Sequence, residues 1–388
     1  MPLPLEHIRV VDMARVRSGP TAVRQLADMG AQVVQVTARP EGATPFAVHG
    51  SDYQMVNRNK RSLTLNLKDY RGQRIVKQLV ERADVLVENF RPDVMERLGL
   101  EYKSLSTVNP RLIYASISGF GEEGPYRDRP GYDQIAQGMG GLMSVTGEPG
   151  RGPMRAGIPV ADLTAGLFLA QGILVALLER ERSGRGQKVT TSLLQAMVQM
   201  LDFQATRWLI DHDIPPQAGN DHPTAFPTGA FETKDGLVNI AATTQAMWES
   251  LCRVVGAPEL AEDERYRQPR SRSQHRGELT PMLQACIRQM GSEELIRRLN
   301  DAGVPSGPIL NIREVFENEQ VRAMEMTARV EHAMLGEIEL LGIPVRLSRT
   351  PGSVRTAAPD PGEHNDQILA ELGYGPNERR TLYEAGVV

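Results

Sequence analysis

Short β-branched apolar runs alternate with amphipathic segments along the first 200 residues, and this alternation constrains the fold more than any other feature. Residues 21–29 and 69–82 space their apolar side chains as helices do, and Gly30 ends the first of them. The runs that predict buried strands are IRVVDMA (8–14), QVVQV (32–36), DVLVENF (84–90), LIYASISGF (112–120) and QKVTTSLL (187–194). Strands separated by helices in this way predict an α/β fold, in which helices cover both faces of a parallel sheet.

The composition changes after residue 210, which indicates a second domain. Pro, Gly and Asp are frequent in 211–229, and a second Pro/Gly-rich stretch occupies 348–364. Between them, GAFETKDGLVNIAA (229–242) alternates around Lys-Asp-Gly, which is typical of a β-hairpin. We therefore predict a large Rossmann-like domain that starts with 1–210, a linker at 211–228, a small α+β domain at 229–330, and a return connection with two terminal helices at 331–388. One helix is expected to run from the last strand of the large domain to about residue 209.

Composition and charge exclude several classes of function. The 388 residues carry a formal charge of −4, so the basic stripe of a nucleic-acid-binding protein is not expected. Cys252 and Cys286 lie far apart and are expected to be free thiols, and no C-x-x-C or H-E-x-x-H motif predicts a metal site. The N-terminus lacks a signal-peptide pattern, and the longest apolar stretch, 163–178, is shorter than the roughly 20 residues of a membrane helix. These features predict a cytoplasmic protein with no membrane span.

The stretch GFGEEG (119–124) matches a dinucleotide-binding pattern, but its surroundings disfavour that function. Such a site needs a helix whose first N–H groups face the pyrophosphate. Pro125 and Pro130 interrupt a helix here, and Glu122 and Glu123 would repel phosphate. The sequence shows no phosphate-binding P-loop and no G-x-S-x-G nucleophile motif either.

Two further segments have both a structural and a functional interpretation. In NRNKRSLTLNLKD (57–69), Lys60, Arg61 and Lys68 are either a solvated edge or a clamp for phosphates. In ENFRPDVMERLGL (88–100), Phe90 belongs to the core or stacks on a planar ring, and Arg97 lies at the surface or reaches a phosphate. The second segment ends a strand of the parallel sheet, which is where ligands bind in open α/β folds.

Asp162 is the only charged residue between Arg155 and Glu179, in a stretch of small and apolar residues. Burying a carboxylate is costly unless another group pairs with it or donates hydrogen bonds to it. The stretch that follows is helical in pattern, so Asp162 either caps that helix or is held there to react.

Several segments together resemble the family III CoA-transferases, the group of formyl-CoA transferase and carnitine CoA-transferase. The likeness spans almost the whole chain, and ENFRP-x-VMERLGL followed by the isolated Asp162 is its most specific part. The segments that carry it are VVDMARVRSGPTAVRQLADMGAQVVQV, NRNKRSLTLNLKD, DVLVENFRPDVMERLGL, NPRLIYASISGFGEEGPY, GIPVADLTAG, SGRGQKVTTSLLQA and GEHNDQILAELGY.

The resemblance implies a CoA-transferase that moves CoA from an acyl-CoA donor to a carboxylic acid acceptor. It implies coenzyme A as part of the substrate, an interlocked homodimer, and Asp162 as the catalytic residue that forms an aspartyl anhydride and an aspartyl-CoA thioester. The family's basic residue beside the adenine would fall on Ala38, and Arg39 is expected to replace it. The other implied CoA contacts are Arg17, Ser18, Leu65, Lys68, Asn89, Phe90, Arg91, Arg97 and Tyr132.

Some positions depart from the family pattern. Thr37 stands where the family usually has an acid, and residues 222–231 lack the glycine-rich loop of formyl-CoA transferase, which disfavours formyl-CoA and oxalate as substrates. Arg17 stands where an uncharged residue is more common; it either binds the carboxylate of the acceptor or pairs with a nearby acid.

Two other functions remain open. The first is an acyl-CoA racemase on the same fold. The racemases that this sequence resembles pair their Asp with a His. PGYDQIAQ (130–137) has Tyr132 at the position of that His, which disfavours racemisation. The second is a CoA-binding protein without activity, which an intact Asp162 disfavours.

Overall fold

The structure is a computed structural model that describes residues 2–39 and 48–388. The chain divides into two compact units. The first comprises Met1–Leu142, Ala156–Asp202 and Gln320–Val388, and the second comprises Met143–Arg155 and Phe203–Glu319. The first unit carries the candidate site.

A six-stranded parallel sheet forms the centre of the first unit, as the alternation of strands and helices predicts. Its spatial order is β3-β2-β1-β4-β5-β6, so the direction of strand succession reverses between β1 and β4. In open α/β folds the crevice at this reversal, outside the carboxyl ends of the strands, is where ligands bind. The strands are β1 (Arg9–Asp12), β2 (Gln32–Thr37), β3 (Lys60–Thr64), β4 (Val85–Glu88), β5 (Ile113–Ser118) and β6 (Lys188–Ser192).

Three further strands belong to the second unit and two to the first. The predicted hairpin at 229–242 is confirmed, because β7 (Thr228–Glu232) pairs antiparallel with β8 (Leu237–Ala241), and β9 (Ser306–Pro308) extends the sheet. In the first unit, β10 (Thr327–His332) and β11 (Gly336–Leu341) form a separate hairpin that the sequence did not predict.

Helices connect the strands and cover the central sheet. In chain order they are α1 (Ser18–Asp28), α2 (Ser51–Asn57), α3 (Tyr70–Glu81), α4 (Val94–Arg97), α5 (Tyr102–Val108), α6 (Asp133–Met139), α7 (Leu142–Val145), α8 (Val160–Ser183), α9 (Leu193–Met200), α10 (Phe203–Asp211), α11 (Gln245–Val254), α12 (Glu259–Glu262), α13 (Pro269–Gln274), α14 (Arg276–Ile287), α15 (Ser292–Asp301), α16 (Ile312–Glu317), α17 (Glu319–Ala323), α18 (Asn365–Glu371) and α19 (Pro376–Glu384).

Successive residues of the central strands point into two different hydrophobic clusters. On β1, Val10 belongs to the cluster that contains α1 and α8, and Val11 to the cluster that contains α3, α18 and α19. Each fully buried aliphatic side chain contributes about 1.5–3 kcal/mol to folding. The sheet is therefore fixed from both faces, and the positions of its strand ends are fixed with it.

The observed division of the chain differs from the predicted domain boundaries. The first unit ends its second segment at Asp202 rather than at 210, and residues 143–155 belong to the second unit. The single helix expected up to residue 209 is also wrong: α9 ends at Met200 and α10 begins at Phe203. Asp202 between them has a φ of 48°, in the left-handed region, which interrupts the helical path.

Candidate active site

A cleft of about 330 Å³ lies at the carboxyl ends of β1, β4 and β5, at the reversal point of the sheet. Asp162 from α8 lines it together with five residues that the resemblance implies as CoA contacts. These are Ser18, Asn89, Phe90, Arg91 and Tyr132.

Asp162 lies in the first turn of α8 but does not cap the helix, so the capping interpretation is wrong. The helix begins at Val160, and the capping position is held by Pro159, which supplies no side-chain hydrogen bond. Instead, Asp133 Oδ1 accepts the N–H groups of Ala161 and Asp162, at 2.8 and 3.3 Å. Asp133 therefore satisfies the start of α8, and the carboxylate of Asp162 is not needed for that purpose.

The surroundings of Asp162 raise its pKa to about 6. Burial is the main cause, the negative charge of Asp133 adds to it, and the positive charge of Arg17 acts in the opposite direction. Burial therefore outweighs the effect of Arg17.

Asn89 joins the two turns that form the floor of the cleft. Its Nδ2 donates to the carbonyl of Arg15 at 2.8 Å, and its Oδ1 accepts the N–H of Arg15 at 2.7 Å. Val16, the next residue, has a φ of 63°, an unfavourable conformation for a β-branched residue. The turn before α1 is thus strained beside the cleft and is held by the turn after β4.

Glu88 supports the turn after β4, and no pattern in the sequence predicted this role. It is buried at the end of β4, and its carboxylate accepts the N–H of Phe90 at 2.8 Å. Burial raises the pKa of Glu88. Phe90 packs partly against the core, and the guanidinium of Arg15 lies 4.7 Å from its ring centroid. Phe90 is therefore both a core residue and part of the cleft wall.

The other implied CoA contacts do not line this cleft. Arg39 and Lys68 are exposed beyond the carboxyl ends of β2 and β3, and Leu65 is buried directly after β3. Arg97 is exposed at the end of α4. Arg39, Leu65 and Lys68 thus follow strands at the same edge of the sheet as the cleft.

Arg17 forms an ion pair with Asp52, with 2.7 Å between Nη2 and Oδ1. Its side chain is 14% exposed and that of Asp52 54%. The structure thus shows the pairing with a nearby acid that the sequence left open, and Arg17 also affects the pKa of Asp162.

Lys60 is not part of a phosphate clamp. Its ammonium is fully buried and lies 2.8 Å from Oδ2 of Asp12, with a second bond to Asn57 Oδ1 at 3.1 Å. Burial lowers the pKa of Lys60, and Asp12 opposes that effect. Arg61 pairs with Glu371 at 2.7 Å. Both residues begin β3 and therefore lie at the edge of the sheet opposite to the cleft.

Among the residues that the structure describes, one group of side chains has the ligand types of a metal site. The ligand atoms of His49, His332 and Asp360 lie within 4.8 Å of one another. However, Nδ1 of His332 accepts the N–H groups of Met334 and Leu335, at 3.1 and 3.3 Å. The proton of the neutral ring is then on Nε2, which leaves that nitrogen without a lone pair for a metal.

The loop 119–124 does not open a helix. Gly121 and Gly124 have positive φ values of 100° and 87°, and the next helix, α6, begins at Asp133. The geometry of a dinucleotide-binding turn is therefore missing from this loop, in agreement with the prediction.

Comparison with known proteins identifies the family. The family model described as CoA-transferase family III matches residues 5–365. The chain belongs to CoA-transferase family III. A succinate–glutarate CoA-transferase of Agrobacterium fabrum is 38% identical, and the match covers 95% of this chain and 96% of that protein. A formyl-CoA:oxalate CoA-transferase of Streptomyces coelicolor is 36% identical, with 99% of both chains covered.

A solved structure supports the same assignment. The crystal structure of a CAIB/BAIF family protein from Brucella suis is 36% identical, with a TM-score of 0.85, and the match covers 96% of this chain and 100% of that one. As a family III CoA-transferase, the chain is an enzyme that acts on acyl-CoA. Its relatives exchange different acids at similar identity, so identity alone does not select its substrates.

Proposed function

We propose that this CoA-transferase transfers CoA between two carboxylic acids with Asp162 as the covalent carrier. The observation that supports this most strongly is the position of Asp162. Its carboxylate lines the cleft at the reversal point of the sheet, while Asp133 fulfils the structural role at the start of α8.

The reaction would proceed through four attacks on carbonyl groups. The Asp162 carboxylate attacks the donor thioester, the C–S bond breaks, and an aspartyl–acyl anhydride and CoA thiolate form. The thiolate then attacks the aspartyl carbonyl, which releases the donor acid and leaves an aspartyl-CoA thioester. The acceptor carboxylate attacks this thioester, giving a second anhydride and free thiolate. Attack of the thiolate on the acceptor carbonyl yields the product thioester and regenerates the carboxylate.

The start of α1 is suited to stabilise the oxyanions of these steps. The capping position, Arg17, contributes no side-chain cap, and Ser18 lines the cleft. The partial positive charge of a helix N-terminus favours a developing negative charge nearby. Backbone N–H groups around Ser18 are the donors that we propose for this role.

The CoA molecule is larger than the cleft, so its nucleotide part would extend beyond it. We propose that Asn89, Phe90, Arg91 and Tyr132 contact the portion near the thioester. The cationic groups of Arg39, Lys68 and Arg97 would meet the phosphates, and the backbone at Leu65 would border the adenine.

The substrates that we propose are short dicarboxylic acids. Relatives at 34–38% identity are named for succinate and glutarate, for succinyl-CoA and D-citramalate, and for succinyl-CoA and mesaconate. All of these acids carry a second carboxylate, and Arg17 is a charged group near Asp162 that could bind it if the ion pair with Asp52 opens.

We also propose the interlocked homodimer. Helix α8 is 24 residues long and apolar enough to cross a membrane, yet half of its most apolar 18-residue window is buried. Its remaining face exposes four large apolar side chains, those of Leu167, Leu174, Val175 and Leu178. A second copy of the chain would cover this face and would exclude water from the anhydride.

A transfer assay tests the proposed function. The enzyme is incubated with succinyl-, acetyl- or formyl-CoA and a panel of carboxylic acids, and new thioesters are identified by mass. We expect transfer from succinyl-CoA to a dicarboxylic acid, with one succinyl-CoA consumed for each new thioester formed. Loss of stereochemistry in a 2-methylacyl-CoA without any transfer would indicate the racemase, and CoA binding without turnover would indicate a binding protein; either result contradicts the proposal.

A further inference from the structure

A second and larger cleft, of about 630 Å³, lies at the opposite edge of the central sheet. It is bordered by the amino ends of β1, β2 and β3 and by the last turns of α3 and α18. Four arginines line it, and we refer to it as the arginine cleft. They are Arg9, Arg61, Arg82 and Arg355.

Charge is poorly balanced in the arginine cleft. Among the residues that the structure describes, Glu371 is the only acidic one that lines it, against four guanidinium groups, in a chain with a net charge of −4. Glu371 pairs with Arg61 at 2.7 Å. The side chain of Arg9 forms no hydrogen bond or ion pair within the part of the chain that the structure describes. Converging like charges are unfavourable unless an anion compensates them.

Structural hydrogen bonds use only part of the N–H groups of these four arginines. Arg82 Nη1 donates to the carbonyl of Glu371 at 2.8 Å, at the end of α18, which is a common use of arginine at a helix C-terminus. Arg355 donates to the carbonyls of Ser353 and Ala27, at 3.1 and 2.9 Å. These bonds use a minority of the available N–H groups. Arg9 has no such role.

The walls of the cleft add an apolar component. The half-buried side chains of Leu79 and Leu372 line it as well. A volume of this size fits a small organic molecule rather than a single inorganic ion. Planar guanidinium groups bind phosphate oxygens in pairs of hydrogen bonds, and an apolar wall accepts a flat ring.

We propose that the arginine cleft binds a nucleoside polyphosphate, with its phosphates on the guanidinium groups and its base against the apolar wall. This site lies at the sheet edge opposite to Asp162. Its occupation therefore does not require displacement of CoA from the catalytic cleft, and it does not depend on the proposed reaction.

Calorimetric titration of UTP into the enzyme tests this site, and uridine serves as the probe without phosphates. CoA is left out, because it is itself a nucleoside polyphosphate and would compete for the arginine cleft. UTP bound in the catalytic cleft would not respond to Arg9→Gln, so this variant distinguishes the two sites. We expect UTP to bind and uridine not to bind. Arg9→Gln should weaken UTP binding at least about tenfold, the effect of losing one charge-assisted contact.

Arg9→Gln is a suitable variant because the Arg9 side chain forms no hydrogen bond or ion pair in the described structure; its charge contributes to the lowered pKa of Glu371, but Arg61 is the main cause of that shift. Its transferase activity and melting temperature should equal those of the wild type. Arg267→Gln, which removes an exposed arginine of the second unit, is the matched control and should bind UTP normally. Failure of UTP to bind at millimolar concentration, or equal binding by Arg9→Gln and the wild type, would overturn the proposal.

Discussion

At the scale of single residues, the proposed reaction depends on the charge of Asp162. Burial and Asp133 raise its pKa to about 6, and Arg17 acts against them. Only the ionised carboxylate can attack a thioester, so a folded-state pKa near 6 still leaves most of the enzyme reactive at neutral pH. A raised pKa also makes the carboxylate more basic and therefore a better nucleophile.

The first prediction is an acid limb in the pH profile of kcat/KM for the donor. Activity should fall as the pH decreases through about 6, where Asp162 becomes protonated. Asp133→Asn removes a charge that raises this pKa, so the limb should move to lower pH. Arg17→Gln removes a charge that lowers it, so the limb should move to higher pH. A flat profile between about pH 4.5 and 8, or shifts of the opposite sign, would contradict this.

The second prediction concerns selection of the acceptor by Arg17. If its guanidinium binds a carboxylate of the acceptor, Arg17→Gln should raise the KM of the acceptor about 10- to 150-fold, the effect of losing a charge-assisted pair. The KM of the CoA donor should change little. Steady-state kinetics with each substrate varied in turn measures both. Equal effects on donor and acceptor would show that Arg17 serves CoA or the fold instead.

At the scale of helices and strands, a buried ion pair joins two strands of the central sheet. Asp12 ends β1, and its Oδ1 accepts the N–H of Ala14 at 3.0 Å, while its Oδ2 binds Lys60 at the start of β3. Both side chains are fully buried. This pair therefore joins the first and third strands and holds the turn that leads toward Val16.

The third prediction is that Lys60→Ala destabilises the protein by about 3–5 kcal/mol, because it leaves Asp12 as an unpaired buried charge. The double variant Asp12→Asn/Lys60→Met should recover much of this loss. Urea unfolding measures the change, and Lys234→Ala, at an exposed lysine of the second unit, is the control. A Lys60→Ala midpoint equal to that of the control would show that the pair contributes nothing.

The central strands could be predicted because their signal is local. Runs such as that around Val85 are β-branched and apolar. Such a run is sufficient to predict a buried strand of a parallel sheet. The start of α8 could not be predicted from its own residues. Its cap is Asp133, which is 29 positions before Asp162 in the chain. The pairing of Lys60 with Asp12 likewise joins residues 48 positions apart, so a local pattern could not distinguish it from a phosphate clamp.

The residues of the candidate site could likewise be predicted only where the signal is local in the sequence. Asp162 is conspicuous because no other charge lies near it in the sequence, and Asn89 and Phe90 follow a strand that ends at the reversal point. Glu88 gave no signal, since an acid at a strand end is common and only the fold shows that it is buried beneath Phe90.

At the scale of the whole molecule, one chain leaves the apolar face of α8 uncovered. The fourth prediction is a homodimer that persists on dilution, because interlocked chains separate only by unfolding. Sedimentation from micromolar to nanomolar protein should show dimer alone. Val175→Glu, in the exposed face, should prevent assembly, whereas Tyr70→Glu on α3 should not. A folded wild-type monomer at any dilution would refute the interlocked arrangement.

The central claim is the covalent role of Asp162, and trapping of the intermediate tests it most directly. The enzyme is incubated with its acyl-CoA donor, treated with borohydride, digested and mapped by mass spectrometry. Asp162→Asn is the control; it removes a buried charge whose raised pKa opposes folding at neutral pH, so this variant should fold. We predict that the thioester at Asp162 is reduced to the alcohol in the wild type and that the variant is neither modified nor active. An unmodified Asp162 in an actively transferring enzyme, or transfer by Asp162→Asn, would contradict the account.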